Sequence, residues 1–410
     1  MRIAMIGTRG VPAAYGGFET AVEEIGKRLA ERGHDITVYC RGAKGPRQAE
    51  YLGMRLVHLP ALHGKSIETL SHTALSAAHA GLAGRFDAAF VFNAANAPFL
   101  PLLRMRGIPV AVHVDGLEWK RGKWGKLGRS YYRWAERFSV QWSDALIADA
   151  QGIADYYSHE FSAETQLLTY GAPLLVAQPS DRLSELGLSA DDYHLVVARF
   201  EPENHVDVIV DGYRKSSAKK PLIVVGGAPY AARYTEGIAA SAANDDRIRL
   251  VGSIYDQELL DQLYAHACTY LHGHSVGGTN PSLLRAMGAA TPVIAFDVIF
   301  NREVLGPDGQ YFANVDAVAR YVNEAESAPQ MTSQNGNRLQ ARARARYDWE
   351  DVATGYESLA SRLSAGAVPR LRPHARRSRV PWDPSARDTK LIGDIGATPG
   401  VEEAVNRGAP

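Results

Sequence analysis

Residues 268–288 read Cys-Thr-Tyr-Leu-His-Gly-His-Ser-Val-Gly-Gly-Thr-Asn-Pro-Ser-Leu-Leu-Arg-Ala-Met-Gly, and they leave few choices for the fold around them. Cys268–Leu271 reads as a short buried strand, because aromatic and β-branched side chains suit a pleated surface. Gly273, Gly277 and Gly278 follow and permit backbone angles that other residues avoid. Asn280 then stands where a helix N-cap is wanted, with Pro281 at the first helical position. Strand, glycine loop and helix start together predict an anion site, since N–H groups and the helix dipole face the loop. An ordinary strand-to-helix turn is the plain alternative. His272, His274, Ser275, Thr279 and Asn280 are more polar groups than a turn requires, so a phosphate-bearing ligand is expected here.

The same alternation runs through the chain from its start. Arg2–Gly7 reads as a strand, 18–32 as a helix with Phe18, Ala21, Val22, Ile25 and Leu29 on one face, and Asp35–Cys40 as the next strand. A βαβ start implies a parallel sheet. Glycines 7, 10, 16 and 17 lack the GxGxxG spacing and no acidic residue ends the second strand, so a nicotinamide cofactor is not expected. Gly16 and Gly17 still suit close approach of backbone to a ligand. Strand candidates continue at 54–58, 87–92, 109–114, 144–148 and 166–169, then at 193–198, 221–225, 247–251 and 292–296. The fold class is therefore α/β, with two Rossmann-like doubly wound domains, about 1–175 and 176–345, facing a central cleft. Residues 174–192 read as a linker. Helices are predicted over 316–327, 335–347 and 349–364, the segment 346–365 packing back toward the first domain. From 366 to 410 arginine and proline dominate, apolar periodicity vanishes, and disorder is expected.

With 45 basic and 45 acidic residues in 410, the formal charge is zero and no global field favours nucleic acid. Two cysteines, Cys40 and Cys268, supply neither a disulfide framework nor a zinc site. No HExxH, GxSxG or strand-end DxD occurs. The first residues are too short an apolar run for a signal peptide, and a cytoplasmic protein is expected.

Polar residues recur at strand ends. Arg199 opens Arg-Phe-Glu-Pro-Glu-Asn-His and suits a diphosphate, Gly226-Gly227 ends the next strand, and Gly252-Ser253-Ile-Tyr255 offers a place for a flat base. A surface salt bridge and plain turns are the alternatives. In the first domain His113 and Asp115 follow a strand and should sit at the cleft mouth. Between 119 and 137, Lys120, Arg121, Lys123, Lys126, Arg129, Arg133 and Arg137 mix with Trp119, Trp124, Tyr131, Tyr132 and Trp134. That mixture fits a peripheral membrane contact, an anionic lipid-linked substrate, or a solvated helix with a buried aromatic stripe.

The runs IGTRGVPAAYGGFET, HVDGLEWKRGKW, ARFEPENH and HGHSVGGTNPSLL resemble the large family of retaining GT-B fold glycosyltransferases, and within it the bacterial rhamnosyltransferases of capsule and cell-wall polysaccharide synthesis. The resemblance covers about residues 1–360. It implies a nucleoside-diphosphate sugar, with dTDP-L-rhamnose the expected donor, held by the second domain, no cofactor and no metal. A glycan or lipid-linked acceptor would lie in the first domain, at the inner face of the cell membrane. It implies catalytic roles for His113, Asp115 and Arg199. It implies donor contacts from Gly16, Gly17, Asn204, Gly226, Ser253, Tyr255, His274, Gly277, Gly278, Thr279, Asn280, Ser282, Leu283 and Arg285. Two departures stand out. Asn204-His205 replace the lysine common in the broad family, while Gly277 and Arg285 replace its paired glutamates, the second of which grips ribose hydroxyls. Losing a charged hydrogen bond costs roughly 1.5–3 kcal/mol, so a catalytically silent sugar-nucleotide-binding or scaffold protein is the alternative. A sugar-nucleotide epimerase of the same fold is a more distant one.

Overall fold

A computed structural model describes residues 1–13, 16–42, 48–62, 64, 67–114, 116–228, 231–368 and 382. The first domain runs β1 (Arg2–Ile6), α1 (Gly17–Glu31), β2 (Asp35–Arg41), β3 (Glu50–Tyr51), β4 (Met54–Leu59), α2 (Ile67–Leu82) and β5 (Ala88–Phe92). It continues through α3 (Leu100–Arg104), β6 (Val110–Val114), α4 (Lys126–Trp142), β7 (Ala145–Ala148), α5 (Gln151–Phe161) and β8 (Gln166–Leu167). Its strands lie in the order β3-β4-β2-β1-β5-β6-β7-β8, parallel except for the short β3–β4 pair. Both faces are covered by helices, which is why β1, β5, β6 and β7 read as unbroken apolar runs.

The second domain holds β9 (His194–Val197), α6 (Val206–Lys215), β10 (Leu222–Val225), α7 (Ala232–Ala242), β11 (Ile248–Gly252), α8 (Gln257–Ala265) and β12 (Thr269–His272). It closes with α9 (Pro281–Gly288), β13 (Val293–Phe296), α10 (Ile299–Leu305), β14 (Gln310–Phe312), α11 (Val315–Ser327) and α12 (Pro329–Arg346). Strand order is β11-β10-β9-β12-β13-β14, all parallel. The expected linker carries a short 3-10 turn at Asp181–Leu186, with Leu183 buried.

Topology decides where a site can form. In the first sheet the chain leaves β1 toward β2 and later returns to its other side with β5; in the second it does so at β9 and β12. Crevices open at the carboxyl ends of such switch points. The crevice at β9 and β12 is bounded by the loops that carry Arg199 and the glycines of 273–278, so residues about 75 apart in sequence become neighbours.

The last helix, α13 (Trp349–Ser364), crosses back onto the first domain. Its Val352, Tyr356, Leu359 and Leu363 share one apolar cluster with Val22, Ile25 and Leu29 of α1, each contributing on the order of 1.5–3 kcal/mol when fully buried. Arg32 fixes the register of this pair from the rim, bonding Glu350 and Glu357 at 2.8 Å each. Of the tail expected to be disordered, all but residues 366–368 and 382 lies outside the described residues.

Candidate active site

Two helix starts face each other between the domains. Gly17, which opens α1, sits close against the first residue of α9: a Cβ there would lie 3.1 Å from Pro281 Cγ, a tight contact. Among the described residues no side chain caps α1 at Gly16, whose φ of 112° suits glycine, and the N–H groups that open α1 find no side-chain acceptor. The start of α9 differs from expectation. Asn280 is its N-cap, but the Ser282 N–H donates to Asn280 Oδ1 at 3.0 Å, and the Leu283 and Leu284 N–H groups donate to the Asn280 carbonyl at 3.1 Å. Ser282 and Leu283 are thus occupied with their own cap, and Leu283 packs in the core. The glycine loop retains its donors, since the Gly277 and Gly278 N–H groups find no acceptor among the described residues.

A cavity of about 270 Å³ lies between these parts, lined by Gly17, Arg199, His274, Gly277, Gly278, Thr279 and Asn280 among the expected residues. It also exposes Asn93, Asp149 and Asn301, which the sequence reading passed over, and Glu118, Arg121 and Lys123 from the run it singled out. Asp149 follows β7 as Arg199 follows β9, a strand-end signal that the first domain carried as well. A Cβ on Gly278 would fall 1.8 Å from Asp149 Oδ1, and Thr279 Oγ1 donates to the Asp149 carbonyl at 2.6 Å. The glycine loop of one domain is therefore seated on the strand end of the other.

Charges cross the cleft in the same way. Glu118 lies 2.5 Å from Arg121 and 2.7 Å from Lys123. Burial alone would push the Glu118 carboxyl up, but these two cations outweigh it and hold it below the usual carboxylate range. Arg121 and Arg199 both approach Glu201, which is buried. Asn204 is not aimed at a ligand: its amide donates to the Arg199 carbonyl at 2.8 Å and so sets the loop. His205 stacks on Phe296 with centroids 3.8 Å apart, filling the place of the family's lysine with a packed ring.

His274 stacks on His272 at 4.5 Å; His272 is fully buried, while His274 is half-buried at the cavity wall. Burial lowers His272 to about 3; it lowers His274 as well, with His272, Arg199 and Arg121 adding to the effect. Both rings are neutral at physiological pH.

A second cavity, of about 600 Å³, is lined by Arg9, Ala13, Thr20, Glu23, Glu24, Tyr255, Gln257 and Arg285. Tyr255 is 73 % exposed at its rim. Arg285 bonds the Asp261 carboxylate, so the side chain that replaces the family's second glutamate arrives already neutralised. Gly226 and Ser253 line neither cavity; Gly226 (φ 145°) lies against the Ala198 carbonyl.

His113 departs from expectation. It is 1 % exposed and lines neither cavity, because Phe18 and Tyr170 lie between its ring and the first one, at 5.2 and 5.8 Å. Burial lowers its pKa to about 3. Asp115 lies outside the described residues. Among the described residues no group of three or more His, Cys, Asp and Glu side chains is arranged to hold a metal ion, and no helix is long and apolar enough to cross a membrane.

Two facing Rossmann-like domains with a glycine loop and paired helix starts at the cleft define a GT-B glycosyltransferase. Residues 16–169 match the glycosyl transferase 4-like domain family and residues 192–327 the glycosyl transferases group 1 family. The two matches span well over half of the chain, which belongs to this group of glycosyltransferases. It is 25 % identical over 404 residues to alpha-maltose-1-phosphate synthase of Mycolicibacterium smegmatis, covering 89 % of this chain and 100 % of the relative. The fold is that of sucrose-phosphate synthase from Thermosynechococcus elongatus (TM-score 0.76, 21 % identity, 89 % of this chain and 99 % of that one). It also matches Anabaena HepE, solved in complex with UDP and glucose (TM-score 0.71, 17 % identity, 88 % of this chain and 100 % of that one).

Proposed function

We propose that this glycosyltransferase moves L-rhamnose from dTDP-L-rhamnose, with retention, onto a hydroxyl of a lipid-linked or polysaccharide acceptor. The observation that carries a nucleotide-sugar site is the meeting of two helix starts, at Gly17 and Pro281, beside a glycine loop with free N–H groups and the guanidinium of Arg199. A diphosphate in the first cavity takes the loop donors and Arg199, while the nucleoside extends into the second cavity beside Tyr255 and Arg285. As the bond from sugar C1 to the leaving phosphate oxygen breaks, negative charge grows on the diphosphate. Arg199, the loop N–H groups and the two helix dipoles stabilise that charge. The acceptor oxygen bonds to C1 on the same face, and its proton passes to the departing phosphate oxygen. The choice of rhamnose rests on the motif resemblance; HepE, solved with UDP and glucose, speaks for a glucosyl donor as the competing reading.

A lipid-linked acceptor is supported by α4. Its outer face carries Lys126, Arg129, Arg133 and Arg137 beside Leu127, which is 88 % exposed, and Trp134, while its single acid, Glu136, is buried. That face suits an anionic membrane surface.

Calorimetric titration with dTDP-rhamnose, UDP-glucose and GDP-mannose tests the donor. Micromolar binding of dTDP-rhamnose alone, with rhamnosyl transfer to a lipid-linked acceptor, is expected. Binding of UDP-glucose instead would replace rhamnose in this scheme. Failure of all three would leave the scaffold alternative, which Arg285, tied to Asp261, favours.

A further inference from the structure

We infer that Tyr356, on the last helix, is a positioning residue for His113: its hydroxyl holds the imidazole in the tautomer that carries its proton on Nε2. This rests on the role in transfer that the family resemblance implies for His113, which we carry into the proposed function. Tyr356 and His113 are separated by 243 residues and meet at 2.8 Å, Oη to Nδ1, with both side chains buried. The Tyr356 ring is held edge-on against Phe90 at 5.0 Å, so the hydroxyl has a fixed direction.

Counting donors and acceptors selects the tautomer. A phenol has one proton and a neutral imidazole has one N–H and one bare nitrogen. If Tyr356 donates to Nδ1, its proton and that lone pair are both satisfied, and one group, the Nε2–H, is left over. If Nδ1–H donates to Tyr356 instead, the phenol proton and the bare Nε2 are both stranded among the described residues. A stranded buried polar group is costly, so the first arrangement wins. Neither group escapes by ionising. Burial keeps His113 neutral down to about pH 3, and burial, with the Asp149 charge adding, keeps the Tyr356 phenol protonated.

The remaining Nε2–H has no partner among the described residues. The ring around it is the floor of the cleft: Phe18 and Tyr170 touch its faces and line the cavity, and the His113 carbonyl accepts from the N–H of Asn93, another lining residue. A buried donor left unsatisfied there is available to a ligand oxygen once the aromatic cover shifts. Because the tautomer depends on α13, the site is complete only when the last helix has docked on the first domain.

The test is long-range ¹H–¹⁵N correlation on histidine-labelled full-length protein. The His113 signals are picked out from thirteen by their loss in His113→Gln. Expected is a protonated Nε2 and a bare Nδ1, with Nε2 moving when dTDP-rhamnose or UDP-glucose is added. In Tyr356→Phe, which keeps the ring packing, the two nitrogen shifts should converge toward an average. Its kcat should fall about three- to tenfold, as for loss of one oriented hydrogen bond, with the melting temperature little changed. A protonated Nδ1 in the natural protein overturns the inference, as does a Tyr356→Phe protein with unchanged ring shifts or unchanged kcat. If no nucleotide sugar binds the natural protein, the proposed function fails, while the nitrogen shifts still decide the tautomer.

Discussion

Arg121 of the first domain and Arg199 of the second share one carboxylate oxygen, Oε2 of Glu201, at 3.7 and 3.4 Å. Two guanidiniums repel at such range, and the buried carboxylate between them offsets the repulsion across the cleft. A bound diphosphate can do the same.

Glu201→Gln therefore separates two effects. Leaving the guanidiniums without this countercharge should lower stability by about 2–3 kcal/mol, below the range for a fully buried pair because Arg199 is partly exposed. With an anion removed beside the anion site, UDP should bind several-fold more tightly. Thermal melting and calorimetry read the two, and weaker UDP binding in the variant would count against a diphosphate between these arginines.

The seat of the glycine loop gives a steric test. A methyl at 278 would overlap Asp149 Oδ1, so Gly278→Ala must move either the loop or the β7 end. Overpacking of this kind costs typically about 1–3 kcal/mol, and donor affinity should fall at least about tenfold. Asp149→Gly in the same protein removes the obstacle and should restore part of the stability. Unimpaired donor binding by Gly278→Ala would mean that the loop is no cradle.

Strand ends were readable from sequence because parallel strands are short apolar runs closed by polar or glycine residues; Arg199 and Gly277-Gly278 announced themselves in this way. What lay beyond reading was the pairing of distant segments. The return of 346–365 toward the first domain was expected, but nothing near Tyr356 or His113 tells that these two side chains meet there. Glu118, Arg121 and Lys123 stood inside a run already singled out, yet the contact of Arg121 with Glu201 exists only once the two domains meet. Local signals failed in two places. Gln310–Phe312 is too short for a period, and α12 starts at Pro329 rather than Asn335 because its first turns bury almost nothing. His113 was placed at the cleft mouth because a strand end usually opens there; the aromatic cover of Phe18 and Tyr170 comes from other elements.

Arg285→Glu would restore the family's carboxylate, but next to Asp261, which now bonds Arg285. Two like charges in contact should lower stability by about 1–3 kcal/mol and mask any gain in donor binding. Combining Arg285→Glu with Asp261→Arg keeps one charge of each sign. Its melting temperature should recover toward that of the natural protein, leaving donor affinity as a clean report on residue 285. No recovery in the double variant would show that the pair is not what Arg285 contributes.

Buried histidines set the acid limit of the fold. Burial lowers His113 and His272 to about 3 and His72 to about 4, and lowers His194 and His274 too. In the unfolded chain these rings take up protons near their ordinary pKa of about 6.5. A depressed folded pKa means that the unfolded state binds more protons between the two values, so stability rises with pH across that window. Their contribution is complete above about pH 6.5 and is lost as pH falls toward 3–4, by up to about 1.4 kcal/mol per pH unit for each ring. Denaturant unfolding between pH 7 and 5 should show net proton uptake and falling stability, and His272→Gln should flatten the slope by close to one proton. A slope unchanged in that variant would mean that His272 is not held neutral in the folded chain.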